Sequence, residues 1–95
     1  MEVFVTPTAE KHFETIVNHL QEKWGSKTLK QFIDKTDKLF NLLQNYPLIG
    51  QVEKDNIRGF QLTRQTKILY RIRGTKVIIL AFFDVRKNPE KKFNG

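Results

Sequence analysis

The chain has 95 residues, 39% of them hydrophobic and 12% aromatic. A chain of this size folds as a single domain, residues 1–95, burying roughly 60–65% of its unfolded surface and leaving no room for a separate cofactor domain. It contains no cysteine, which excludes disulfide scaffolds and thiolate metal sites, and its net charge of +7 favours an anionic partner: nucleic acid, a ribosome or an acidic protein.

Met1 to Pro7 lacks a basic stretch followed by an apolar core, so no signal peptide is expected there. The longest apolar run, Val77 to Phe83, is far too short for a membrane span. The reading is a soluble cytoplasmic protein with no membrane partner.

Glu2 to Val5 suits a short strand. Thr6 then serves as a helix cap, and Pro7 fits the first helical position, where its missing N–H costs nothing. Ala9, Phe13, Ile16, Val17, Leu20 and Trp24 fall on one stripe of the first helix. Gly25 stops that helix and Ser26 is expected to cap the next, whose stripe carries Leu29, Phe32, Ile33, Thr36, Phe40 and Leu43. So short a link predicts an antiparallel helical hairpin. Pro47 ends the helical half, and Leu48 to Asn56 reads as a polar loop. A strand from Ile57 to Leu62 follows, with a turn at Thr63 to Thr66. A two- or a three-residue loop there places Phe60 on opposite faces, so the first register stays open.

Lys67 to Asp84 is the clearest hairpin. Gly74-Thr75 supplies a two-residue loop in which glycine accepts the positive φ. One face then pairs Ile72 with Val77, Tyr70 with Ile79 and Ile68 with Ala81 as core. The other pairs Arg71 with Ile78, Leu69 with Leu80 and Lys67 with Phe82, mixing cations with large apolar groups in the manner of a partner surface. The order is β-α-α-β-β-β: an α+β fold with an antiparallel helix hairpin packed on an antiparallel sheet.

Conventional catalytic sets are missing. His12 and His19 project similarly from the first helix, without a third convergent ligand, so no metal is expected. Asp34 and Asp37 lie on a solvated helix face. Gly59 and Gly74 belong to no phosphate-loop spacing, and no cofactor is expected. What remains is cationic: from Ile57 to Phe93 there are ten basic residues against two acidic ones, Asp84 and Glu90. Arg58, Arg64, Lys67, Arg71, Arg73, Arg86 and Lys87 are the candidates for binding a nucleic acid or another target. Arginine forks suit phosphates, either an RNA backbone or the charge that develops when a ribose hydroxyl attacks one. Such cleavage needs no metal but does need a proton-moving group. Tyr70 is the one tyrosine of the sheet region, and its place on the core face favours packing over chemistry.

Several segments together carry a resemblance: Phe4-Val-Thr-Pro-Thr-Ala9, Tyr46-Pro-Leu-Ile-Gly50, Ile57-Arg58, Leu69-Tyr-Arg-Ile72, Val77-Ile-Ile-Leu80 and Asp84-Val-Arg-Lys-Asn-Pro89. In this order the chain resembles the RelE/ParE superfamily of bacterial toxins from type II toxin–antitoxin systems over nearly its whole length. The resemblance implies a protein that arrests growth when free and is neutralised by a cognate antitoxin, whose C-terminal segment wraps around it. The mixed face of Leu69, Arg71, Ile78, Leu80 and Phe82 is the expected antitoxin surface. Left uncovered, it also allows a homodimer.

Two activities diverge within the superfamily. RelE-like members cleave ribosome-bound mRNA, and for that reading the candidate catalytic cations are Arg58, Lys67, Arg71, Arg86 and Lys87. Phe93 stands where many such members carry a tyrosine, and Phe60 where a lysine is expected. ParE-like members inhibit DNA gyrase without cleaving RNA. The expectation leans to a ParE-like, non-catalytic target binder, with the RelE-like metal-independent endoribonuclease as alternative and a plain nucleic-acid-binding module as the second.

Overall fold

Seven elements follow one another in the computed structural model, which describes residues 1–86. They are β1 (Glu2–Val5), α1 (Pro7–Lys23), α2 (Ser26–Asn45), β2 (Gln51–Lys54), β3 (Ile57–Gln61), β4 (Thr66–Arg73) and β5 (Lys76–Asp84). The strands form one sheet in the order β1-β5-β4-β3-β2, with the helix pair on one face. The α+β architecture is the expected one, with two differences. A fifth strand, β2, occupies part of the segment read as a loop, and β1 runs parallel to β5, so the sheet is mixed.

Local chemistry explains the helix ends. The Thr6 hydroxyl accepts the Ala9 N–H at 3.1 Å, and Pro7 follows at the first helical position. The second helix departs from expectation. Its N-cap is Gly25 at φ 86°, with no side-chain cap, and Ser26 is already helical. Because two helices must reverse across Trp24-Gly25, the positive φ takes precedence over a hydroxyl cap.

The core lies between the helices and the inner face of the sheet. Tyr70, Leu43, Ile68, Ile79 and Val77 are its largest fully buried side chains. Leu39 joins Phe32, Thr36 and Leu43 on the buried stripe of α2, whereas Trp24, read as part of the α1 stripe, is exposed. Phe60 pairs with Ile68, which settles the open register and turns Phe60 toward the core.

The β4–β5 hairpin keeps the expected pairing from Arg73 opposite Lys76 to Tyr70 opposite Ile79. Gly74 takes φ 61° in its turn. A bulge then intervenes at Leu80, so Leu69 faces Ala81, Ile68 faces Phe82 and Lys67 faces Phe83. One extra residue exchanges the faces of everything beyond it. Phe82 therefore lies in the core, its ring 5.4 Å from Phe13 and 6.5 Å from Phe32. Burying such a ring stabilises the fold by about 1.5–3 kcal/mol.

The bulged half of β5 extends past the end of β1, so its backbone loses a strand partner on that side. Side chains replace it: the Thr6 hydroxyl reaches the Leu80 carbonyl at 3.5 Å, and the Phe82 N–H donates to His12 Nδ1 at 3.3 Å. His12 thus seals a strand edge.

Candidate functional site

Among the described residues no helix covers the outer face of the sheet, and alternation determines what stands there. In β4 the outward positions are Lys67, Leu69, Arg71 and Arg73, and from β5 come Phe83, Ala81, Ile78 and Lys76 opposite them. Phe4 of β1 pairs with Ile78 and is 55% exposed. Leu69 is buried on this face, outside the helix-side core. Arg71 lies between Leu69 and Arg73 along the strand, and its Nε is buried with no hydrogen-bond partner among the described residues. A guanidinium N–H in that condition costs stability unless a ligand satisfies it.

Lys67 is not a free cation. Its ammonium lies 2.8 Å from the Glu53 carboxylate, both side chains largely sheltered. Glu53 reaches it from the irregular step in β2, crossing directly over Gly59. A Cβ at residue 59 would collide with the Glu53 carboxylate, so glycine here makes room for an ion pair across three strands. Glu53 lay within the expected loop, which is why sequence reasoning missed this pairing.

Arg58 belongs to the opposite side. It pairs with Tyr70 on the helix-facing surface, and its Nη1 donates to the carbonyls of Gly50 at 2.8 Å and Leu48 at 3.3 Å. The Tyr70 hydroxyl accepts the Gly50 N–H at 2.8 Å and donates to the Pro47 carbonyl at 2.7 Å. Burial pushes the Tyr70 phenol up from the ordinary tyrosine range, against smaller opposing effects of the Gly50 N–H and the Arg58 charge. The two side chains expected to serve phosphate chemistry or simple packing thus tie the α2–β2 loop to the sheet.

The remaining cations are scattered. Arg64 is exposed in the β3–β4 turn and Arg73 at the far end of β4. Arg86 grips Asp84 with two side-chain bonds, Nε to Oδ1 at 3.1 Å and Nη2 to Oδ2 at 2.9 Å, and this carboxylate holds the guanidinium above its usual range. Lys87 and Phe93 lie outside the described residues. Of the expected antitoxin surface, Leu69, Arg71 and Ile78 share the outer face, and Leu80 stays outside the core cluster. Phe82 does not belong with them, because the bulge turns it inward. It lines instead a groove of about 770 Å³ with Ile16, Leu20, Phe32, His19 and Lys35, so a segment touching Phe82 would enter from the helix side.

No three His, Asp or Glu side chains among the described residues are placed to hold a metal ion. No helix among them is long and apolar enough to cross a membrane. Arg58 thus sits in a loop clamp, Lys67 in an ion pair on the outer face that it shares with Arg71, and Arg86 at a strand terminus.

Comparison with known proteins agrees with this architecture. The family model described as the ParE toxin of the type II toxin–antitoxin system, parDE, matches residues 3–89. Among solved structures, the chromosomal ParDE system from P. aeruginosa is similar with a TM-score of 0.75 and 19% identity, over 88% of this chain and 95% of that one. The YoeB/ParE toxin from Agrobacterium tumefaciens gives 0.67 and 14%, over 88% and 98% respectively. The YoeB dimer from Staphylococcus aureus gives 0.62 and 11%, over 87% and 94%. No curated protein sequence matches the chain. The match of the family model over most of the sequence, on a fold shared with these toxins, assigns the chain to the ParE toxin family of type II toxin–antitoxin systems.

Proposed function

We propose that this toxin arrests growth by binding a protein target, with DNA gyrase the leading candidate, and not by cutting RNA. The observation that carries the reading is the separation of the cations required for ribonuclease chemistry. General acid–base cleavage needs phosphate-binding and proton-moving groups converging on one reacting bond. Here Arg58 clamps a loop, Lys67 is paired with Glu53, and the one tyrosine of the sheet has its hydroxyl engaged between Pro47 and Gly50. Arg58 and the Tyr70 hydroxyl lie on the other side of the sheet from Arg71, and Lys67, on Arg71's side, is already engaged by Glu53.

The cognate antitoxin is the partner that a toxin of this type implies, and the outer face suits its neutralising segment. Arg71 offers a buried donor to a carboxylate, while Ile78 and Phe4 offer apolar area beside it. An extended segment carrying an acidic side chain among apolar ones would satisfy both. Homodimerisation through the same face competes with antitoxin binding and belongs to the free toxin only.

A supercoiling assay with purified gyrase tests the target. Inhibition that rises with toxin concentration and vanishes on addition of antitoxin is expected. Full supercoiling at saturating toxin, together with new mRNA 5′ ends in primer extension on translated message, would overturn the reading in favour of the ribonuclease.

A further inference from the structure

In this strongly basic chain no charged residue occurs between Lys38 and Glu53. Exposed apolar groups gather in the same stretch. Of the eight large hydrophobic side chains exposed among the described residues, five fall here: Leu42 at 40%, Tyr46 at 61%, Leu48 at 66%, Ile49 at 38% and Val52 at 53%. Leu42 and Tyr46 stand one helical turn apart at the end of α2. Tyr46 to Ile49 then form a tight turn closed by the Ile49 N–H on the Tyr46 carbonyl at 3.3 Å, with Pro47 at its second position. Val52 follows on β2, paired with Arg58, whose guanidinium holds the same turn.

A turn at the surface ordinarily carries polar residues and moves freely. This one does neither. The buried Tyr70 hydroxyl and the Arg58 guanidinium hold the backbone at Pro47, Leu48 and Gly50. Gly50 permits the approach, since a Cβ there would lie 2.5 Å from the Tyr70 hydroxyl. Apolar side chains on an immobilised convex turn lose little freedom when they enter a pocket, which is the condition for a binding hot spot.

We propose that the Tyr46–Ile49 turn, with Leu42 and Val52 flanking it, is the surface through which the toxin engages its target, and that the target presents a neutral, apolar hollow of a protein. Charge decides the occupant. A nucleic acid is held by neutralising phosphates, and this stretch has no cation to offer, the Arg58 guanidinium being turned onto backbone carbonyls. An acidic antitoxin segment finds its complement on the outer face at Arg71 instead. The proposal rests on the target-binding reading above and adds where the target is touched. It also separates the two partners in space, so that an antitoxin on the outer face neutralises by obstruction or by displacing the complex.

The test compares the wild-type chain with Leu48→Asp/Ile49→Asp and with the milder Leu48→Ser, after melting curves establish that each variant folds. In the gyrase supercoiling assay, the double aspartate variant is expected to need at least about tenfold more protein for half-inhibition. Leu48→Ser is expected to give a smaller loss in the same direction. Inhibition equal to wild type in a folded variant overturns the proposal. If the wild type itself leaves gyrase untouched, the gyrase reading fails separately, and growth arrest on induced expression becomes the readout: loss of arrest in the folded variants supports the turn as target surface, and undiminished arrest overturns it. Sedimentation adds the last outcome. A wild-type dimer that the aspartate pair dissociates would assign the turn to self-association and overturn the proposal.

Discussion

Replacing Tyr70 with phenylalanine removes one oxygen atom from the interior and nothing else of the ring. That oxygen accepts the Gly50 N–H at 2.8 Å and donates to the Pro47 carbonyl at 2.7 Å. Both loop groups would then face an apolar ring edge, and Gly50 is itself buried. A buried donor left without a partner costs about 1–3 kcal/mol. Taking about 2 kcal/mol, and about 4–8 °C per kcal/mol for a domain of this size, Tyr70→Phe should melt roughly 8–16 °C below wild type. The pH dependence gives an independent signature. Burial raises the Tyr70 phenol above its unfolded value, so the folded state holds that proton more tightly than the unfolded chain does. The associated stability is complete below about pH 10 and declines as the pH rises through the higher folded value. Urea unfolding at neutral pH and at alkaline pH measures both effects. The variant should be weaker at neutral pH and should show a shallower alkaline decline than wild type. Equal stability at neutral pH, or an identical alkaline decline in the two proteins, would refute the assignment of the hydroxyl as the clamp of the α2–β2 loop.

Three further tests probe other parts of the molecule. Arg71→Met replaces an unpartnered buried donor with an apolar chain of similar length, so thermal stability should hold or rise while antitoxin affinity, measured by calorimetry, falls. Gly59→Ala should destabilise the wild type by displacing Glu53 from Lys67, yet should become neutral or stabilising in a Glu53→Ala background, as a double-mutant cycle would reveal. Phe82→Ala should cost about 3–5 kcal/mol in urea unfolding and Leu80→Ala clearly less, because the bulge sends the first residue into the aromatic cluster and keeps the second out of it.

The helical half was largely legible because its signals are local. Thr6-Pro7 announces the start of α1, and apolar spacing marks the buried stripes that meet at Phe13 and Phe32. The tight turn at Gly74 was equally plain, and it fixed the hairpin register for four pairs. Beyond them lies Leu80-Ala81-Phe82-Phe83, where every residue is apolar. Alternation disappears in such a run, so nothing in it betrays which residue is the extra one. The strand β2 escaped for the opposite reason: Gln51-Val-Glu-Lys54 is short, mostly polar and at a sheet edge, where burial imposes little pattern. The same gap concealed Glu53, and with it the neutralisation of Lys67. Arg58 was visible as a cation, but its direction depends on its pairing with Tyr70, a relation that only the folded register contains.

The parallel pairing of β1 with β5 also has a temporal meaning. It joins the first strand of the chain to the last, Glu2 beside Lys76 and Val5 beside Ile79, with both helices and three strands between them in sequence. Such a pairing is strongly non-local, and it forms only after both helices and the three intervening strands have been synthesised. On a translating ribosome β1 therefore waits without its neighbour, and Ile78 and Phe4, the outward residues in line with Arg71 across the sheet, come together only once β5 has emerged. The outer face around Arg71 is therefore completed in the same step as the sheet itself, with no stage at which an intact sheet lacks it.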